Sequence, residues 1–383
     1  MPHHNSPPSP NAPTKPARRL PQPVWDAFVR LFHWSLVASI TIAAVTGFLL
    51  GPSWIPVHIV AASFAALLVV GRIIWGFVGG RYARFSGFVT GPVRLLAYTR
   101  DVLAGREARF VGHNPLGGAM VVAILALILA AALSGWAFLG AGAKLGPFAF
   151  FVPYADSPWL AEIHEAVAFA ILALVALHVA GVFFTGKREN ENLVRAMITG
   201  EKEAGPEDVI APERRARKGL ALALGGIALV AVALGLLAPV VLPVPGAPVA
   251  QIDPLVRSEC SDCHMLYHPS LLPAKDWQYI MATLDNHYGE DASLDEDTTA
   301  RIRDWLVAHS AETADTRAAH VFRLDPPAGI TAITDTPFWK QRHGGISDAA
   351  FKSPEVGSRA NCAACHEDAE SGWFNPFFAE IEG

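Results

Sequence analysis

Five stretches of this 383-residue chain are each apolar over about 20 residues, the length a helix needs to cross a bilayer. They are Leu31–Leu50, Ile55–Phe77, Leu116–Gly140, Trp159–Phe184 and Gly219–Leu242, and the last carries no charge. One such stretch could be a buried core helix; five in one chain predict a membrane protein. Charged residues make up 17% of the chain against about 25% in soluble domains, which argues against a wholly cytosolic enzyme. Only Gly51-Pro52-Ser53-Trp54 separates the first two stretches, so they are expected to form a hairpin.

Charge divides the chain. Residues 1–250 carry 20 Lys+Arg and 13 Asp+Glu, whereas residues 251–383 carry 10 and 22, a net −12. Bases concentrate in the leader, in the loop after the second stretch (Arg81 to Arg109) and in the loop after the fourth (Lys187 to Lys218). The two intervening loops hold a single base, Lys144. This bias predicts a cytoplasmic N-terminus, and five crossings then put everything after Leu242 outside. Residues 1–23 contain eight prolines and read as a disordered cytoplasmic leader. The expected organisation is that leader, a membrane domain over 24–200, then 201–250 with a cytoplasmic loop, the fifth helix and a proline-spaced linker. An outer domain over 251–383 follows, with short helices and no sustained strand alternation. The fold class expected is all-α.

All four cysteines fall in two copies of one pattern, Cys260-Ser-Asp-Cys263-His264 and Cys362-Ala-Ala-Cys365-His366. C-x-x-C-H is the attachment signature of c-type haem, with two thiols for the vinyl groups and a proximal histidine for iron. A redox-active C-x-x-C does not need the histidine, and a zinc site would need both units to converge. Two covalent c haems are therefore expected. Their sixth ligands must come from a spare set of His268, His287, His309, His320 and His343, with Met265 and Met281 the nearby methionines. Spacing alone singles out none of them.

Ionisable side chains inside a span are functional candidates. His33 and His58 lie near the ends of the first two stretches, and His164 and His178 share the fourth. Fourteen residues separate the last two, about 21 Å of helix rise, and both project from one face. His58 and His164 then share the outer level, and His33 and His178 the inner level. Two bis-histidine b haems stacked within a four-helix bundle would satisfy that match. Arg72 lies 14 residues after His58 and could pair a haem propionate. Gly47, Gly71 and Gly135 could admit a macrocycle or allow close helix packing. His113 sits in Gly112-His113-Asn114-Pro115, which reads as a loop leading into a capped helix.

Trp25-Asp26, Arg30-Leu31-Phe32-His33-Trp34, Arg72 to Phe77, Gly112 to Gly117 and the stretch from His164-Glu165 to His178 resemble the bacterial cytochrome b561 and hydrogenase b-type cytochrome group over about residues 24–200. That resemblance implies a four-helix core with two haem b groups exchanging electrons with quinone, its haem histidines matching His33, His58, His164 and His178. The stretches Cys263-His264-Met265, Leu271-Leu272-Pro273, His287 to Ala292 and Cys362 to Phe374 resemble the small bacterial dihaem cytochrome c family over about residues 255–383. That second resemblance implies bis-histidine haems and maps their sixth ligands onto His287 and His343.

No protein nucleophile, carboxylate pair or nucleotide loop appears, so bound cofactors would carry the chemistry. The expected protein is a four-haem conduit of the bacterial inner membrane, linking membrane quinone to a basic periplasmic cytochrome or other redox protein, with quinol oxidation favoured. No nucleic acid partner is expected. The competing expectations are a superoxide-oxidising b561-type enzyme, an anchor subunit that passes a periplasmic dehydrogenase's electrons into quinone, and a haem-based redox sensor.

Overall fold

The computed structural model describes residues 20–205, 208–210, 212–324 and 332–375. The expected leader therefore lies outside the described residues up to position 19. The chain is mainly α-helical, and five helices are long and apolar enough to cross a membrane. They are α1 (Ala27–Phe48), α2 (Ile55–Val78), α4 (Pro115–Ala143), α5 (Ser157–Glu189) and α7 (Lys218–Val241). Between them lie α3 (Pro92–Ala104) and α6 (Leu193–Thr199). The polar region that follows holds α8 (Pro254–Cys260), α9 (Ala274–Ala282), α10 (Glu296–Ala308), α11 (Arg317–Leu324), α12 (Pro337–His343) and α13 (Asp348–Phe351).

The first turns of α1, α4 and α5 begin ahead of their apolar stretches, while α1 and α7 stop short of theirs at Phe48 and Val241. The Asp26 carboxylate accepts the Val29 N–H at 2.9 Å, satisfying a donor in the first turn of α1. Asn114 accepts the Gly117 N–H at 2.7 Å, with Pro115 at the first position of α4. At the other end of the apolar stretch, α5 continues through Lys187 and Arg188, whose charges favour a helix C-terminus.

Contacts group the chain into two compact units. The first takes in residues up to Ile40, Phe64–Leu129 and Phe169–Ala228. It contains a two-stranded antiparallel sheet of β1 (Leu20–Pro23) and β2 (Glu201–Ala204), Leu20 opposite Ala204. Four residues with two prolines do not announce a strand. What creates it is Gly200, whose carbonyl accepts the N–H groups of Val24 and Trp25 at 2.8 and 3.0 Å. Gly200 has φ +88°, and a Cβ there would sit 2.7 Å from the Trp25 carbonyl oxygen, so only glycine fits. Asp26 also accepts the Trp75 indole N–H at 2.9 Å, fixing α1 to α2. Not every base in these loops is free for the solvent: Arg109 is paired with Glu189, Glu191 and Asp208, and Lys202 with Glu191.

The second unit takes in Thr41–Ser63, Ala130–Ala168 and the chain from Leu229 onward. Its polar part packs around Val256, Leu266, Trp277, Ile280, Met281, Ile302 and Leu306. The Trp277 indole donates to the Pro269 carbonyl at 2.7 Å, so its polar edge is satisfied inside that core. Tyr267 donates to the Ala360 carbonyl at 2.7 Å, which ties the first C-x-x-C-H segment to the second.

Candidate haem sites

Four pairs of imidazoles meet at nearly one separation. The ring centroids of His33 and His178 are 6.5 Å apart, of His58 and His164 6.1 Å, of His264 and His287 6.2 Å, and of His343 and His366 6.3 Å. A metal–imidazole bond is about 2.0–2.1 Å. Two such bonds in line, with ~1.1 Å from each nitrogen to its ring centre, set the centroids about 6.3 Å apart. Each pair therefore has a spacing at which both imidazoles would hold one metal ion.

The orientations of four of these rings agree with that use, whereas the Nδ1 atoms of His33 and His366 have no hydrogen-bond partner. His58 Nδ1 is 2.9 Å from the Ala43 carbonyl and His164 Nδ1 is 3.0 Å from the Ala131 carbonyl. His264 Nδ1 is 2.7 Å from the Met265 carbonyl, and His343 Nδ1 is 2.9 Å from the Trp339 carbonyl. A carbonyl can only accept, so each Nδ1 carries the proton and Nε2 is left as the electron-pair donor.

Local chain chemistry positions the less obvious members. His287 precedes Tyr288 and Gly289, at φ +56° and +101°, and exchanges backbone hydrogen bonds with Glu290 at 2.8 and 3.2 Å. Two successive positive φ values make a type I′ turn, which projects His287 toward His264. His343 ends α12, a helix capped by Thr336, whose hydroxyl accepts the Trp339 N–H at 3.2 Å. Its ring stacks on Trp339 at 4.4 Å, fixing the rotamer.

The remaining histidines of the polar region are otherwise engaged. His268 is wholly buried, 2.8 Å from the Ser270 hydroxyl and 3.0 Å from the Val249 carbonyl. Burial pushes its pKa down, which keeps it neutral. His309 lies against Trp305, and His320 is 2.7 Å from Asp315. Met265 accepts the Cys362 N–H through sulfur at 3.1 Å.

The donor set fits haem rather than the two alternatives. Among the described residues no three His, Cys, Asp or Glu side chains converge to cage a metal ion, so a zinc site lacks its ligands. Burial pushes the Cys260 and Cys362 thiols up to about 11, opposite to the depressed values of redox-active cysteines. In the membrane part, Arg72 is 2% exposed and its Nη1 has no hydrogen-bond partner. The guanidinium lies 5.3 Å from the Phe85 ring centre, and a buried Nη1 without an acceptor has room for an anion, as a propionate would supply. Glycine lines the rings: a Cβ on Gly135 would lie 2.9 Å from His164 Cε1, and one on Gly47 3.1 Å from His58 Cε1. Gly71 is different, its Cβ meeting only Phe28 at 3.7 Å.

Sequence reasoning passed over His113. It is wedged between the tilted rings of Trp25 and Phe88, at ring distances of 4.7 and 4.6 Å. Burial, with Arg72 and Lys202 nearby, pushes its imidazole down to about 3, and its Nδ1 has no hydrogen-bond partner. It lines a cleft of about 160 Å³ together with Tyr82, Phe88, Thr90 and Phe110. The Tyr82 hydroxyl and Thr90 Oγ1 are also buried without partners. The signal available in the sequence was a histidine beside a proline-started apolar helix, which spacing rules read as a turn.

Comparison with known proteins matches two parts of the chain to two families. Residues 24–200 match the family described as prokaryotic cytochrome b561, and residues 256–374 the family described as dihaem cytochrome c. The "Probable Ni/Fe-hydrogenase B-type cytochrome subunit" of Cupriavidus necator is 30% identical over 209 residues, which is 46% of this chain and 85% of that protein. Its namesake from Rhodobacter capsulatus is 28% identical over 218 residues, covering 48% and 82%. Among solved structures, a diheme cytochrome c from Rhodobacter sphaeroides is 42% identical and covers 33% of this chain and 98% of that one, with a TM-score of 0.28. The diheme cytochrome type c of Shewanella baltica is 36% identical, covering 34% and 93%, with a TM-score of 0.27.

Proposed function

The chain belongs to the prokaryotic cytochrome b561 family through residues 24–200 and to the dihaem cytochrome c family through residues 256–374, and from that premise we propose that it carries electrons from membrane quinol to a periplasmic redox partner. The observation that supports this most is the run of four imidazole pairs at 6.1–6.5 Å. His33 with His178, and His58 with His164, would each hold a haem b, with Arg72 facing a propionate. Cys260, Cys263, His264 and His287 would hold one haem c, and Cys362, Cys365, His366 and His343 the other. Haem iron, when bound, supplies reversible one-electron redox chemistry. The chain's own contribution is to present Nε2 on rings of which His58, His164, His264 and His343 are held through Nδ1, to keep both b sites among apolar helices, and to carry the c sites on the same polypeptide. In this reading the basic loops face the cytoplasm and residues after Leu242 face the periplasm of a bacterial inner membrane, as the Lys/Arg bias favours.

We place the quinone headgroup in the cleft beside His113. A quinol hydroxyl needs a hydrogen-bond acceptor and apolar walls; the neutral, unpartnered Nδ1 of His113 is the acceptor, and Phe88 and Phe110 are walls. Quinol added to oxidised protein is expected to reduce the b bands first and the c bands after. Replacing His113 with leucine should slow quinol-driven reduction while leaving dithionite reduction and spectra unchanged. One observation favours a second reading: the relatives are named as hydrogenase subunits, and a subunit of a periplasmic dehydrogenase would send electrons toward quinone. Stopped-flow separates the two. If quinol fails to reduce the b bands and a reduced periplasmic donor reduces c and then b, the flow runs inward.

The net charge of −12 on residues 251–383 bears on the partner. A field of one sign steers an oppositely charged protein and makes encounter depend on ionic strength. The second-order rate with a basic soluble cytochrome is expected to fall as salt rises from about 10 to 200 mM, the range over which the Debye length shrinks from about 30 to under 10 Å. A rate that stays flat would assign the acidity to solubility alone.

A further inference from the structure

We propose that Lys144 and Asp315 are positioning residues that latch the dihaem region onto the loop between α4 and α5, so that electron exchange between the b and c sites occurs within one chain; this rests on the conduit reading above. Lys144 is the single base in the two loops that the charge pattern sets apart from the basic ones, and a lone lysine in a short loop would ordinarily be solvated. Here its side chain is 2% exposed. It has left-handed backbone, φ +54°, and its ammonium donates to the Asp315 carboxylate and to the Val152 carbonyl, the latter at 3.1 Å. A non-glycine residue in that conformation with a buried charge persists only where its surroundings hold it there.

Asp315 is the hub on the other side. The same carboxylate accepts the Tyr154 N–H at 2.9 Å and lies 2.7 Å from His320 Nε2. Burial alone would raise its pKa, but the donors from Lys144, Tyr154 and His320 hold it below the usual carboxylate range. The Asp315 N–H donates to the Gly246 carbonyl at 2.8 Å, which brings the linker after α7 into the same cluster. Gly246 has φ +75°, and a Cβ there would meet Asp315 Cβ at 2.4 Å. The Tyr154 ring lies 4.9 Å from the His320 ring on α11, tilted at 47°, so a ring contact backs the polar one. Loop, linker and dihaem region thus converge on one carboxylate. None of these residues belongs to an imidazole pair, so their role is to hold and not to conduct.

A dihaem region tethered only by its linker would sample many orientations, of which few bring the sites together. The latch removes that search. The variants that read it are Lys144→Met, Asp315→Asn and Gly246→Ala, the last of which pries at the contact without changing charge. Amide hydrogen exchange of the full-length protein is the readout that does not depend on turnover. The Tyr154 and Asp315 amides are expected to exchange about tenfold faster or more in each variant, since their acceptors belong to the latch. In stopped-flow, transfer between b and c bands should slow about tenfold, the fall expected when a nearly full docked population drops to about a tenth. It should also become sensitive to added viscogen, with b and c spectra unchanged. Lys144→Met and Asp315→Asn combined should cost little more than either alone, because both break one contact. Unchanged exchange and unchanged transfer in the Asp315→Asn protein would overturn the latch. Wild-type protein with protected amides but no transfer between b and c bands would instead overturn the conduit reading. Should Lys144→Met not assemble, Gly246→Ala and Asp315→Asn report on the same contact.

Discussion

Replacing His58 or His164 with alanine is expected to remove one and the same b-type haem, and replacing His33 or His178 to remove the other. The pairs are set by which rings touch: His58 faces His164 at 6.1 Å and His33 faces His178 at 6.5 Å. Both partners on α5 lie on one face of a single helix, and 14 residues between them correspond to about 21 Å of rise. No single macrocycle can take both as axial ligands. A non-covalent haem loses most of its specific attachment with either axial imidazole, because the remaining ring offers one bond in place of two. Pyridine haemochrome analysis should show b content falling from about two to about one per chain with c content unchanged, since thioethers hold the latter. Redox titration should show His58→Ala and His164→Ala missing the same component. If His58→Ala and His178→Ala miss the same one, the pairing is wrong.

Much of this arrangement was legible because it is written in local chemistry. The five apolar helices follow from run length, and the starts of α1 and α4 precede their runs by the reach of the caps Asp26 and Asn114. The C-x-x-C-H units are contiguous in sequence, and the meeting of His33 with His178 follows from counting depth along antiparallel spans. What local chemistry could not express are contacts made at long range. His268, His309 and His320 are equivalent to His287 and His343 by composition; they differ in finding Val249, Trp305 and Asp315, which no spacing rule reveals. Resemblance, not periodicity, pointed to His287 and His343. The β1–β2 pair depends on the Gly200 carbonyl, and Lys144 reads as a surface base until Asp315 arrives from 171 residues away. His113 was hidden because a cleft is a property of several segments at once.

Substituting leucine for Gly135 is expected to eliminate the haem held by His58 and His164 while sparing the other. Gly135 lies on α4, and a Cβ there would approach His164 Cε1 at 2.9 Å and Nδ1 at 3.2 Å. Gly47 on α1 stands in the same relation to His58, with Cε1 and Nδ1 both at 3.1 Å. Such distances require the neighbour to move, and here it cannot move freely. The His164 ring is held through Nδ1 by the Ala131 carbonyl at 3.0 Å and the Ser134 hydroxyl at 3.1 Å. The His58 ring is held by the Ala43 carbonyl at 2.9 Å. Overpacking a close-fitted site costs about 1–3 kcal/mol, and here the strain falls on the hydrogen bond that sets the tautomer. Gly135→Ala is therefore expected to retain the haem but shift its midpoint potential, and Gly135→Leu to displace the imidazole and lose it. Gly71 is the control, because its added Cβ finds only Phe28 Cζ at the ordinary distance of 3.7 Å. Gly71→Ala should leave both b components in place. If instead Gly135→Leu keeps both components at wild-type potentials, these glycines serve helix packing alone and the rings do not depend on them.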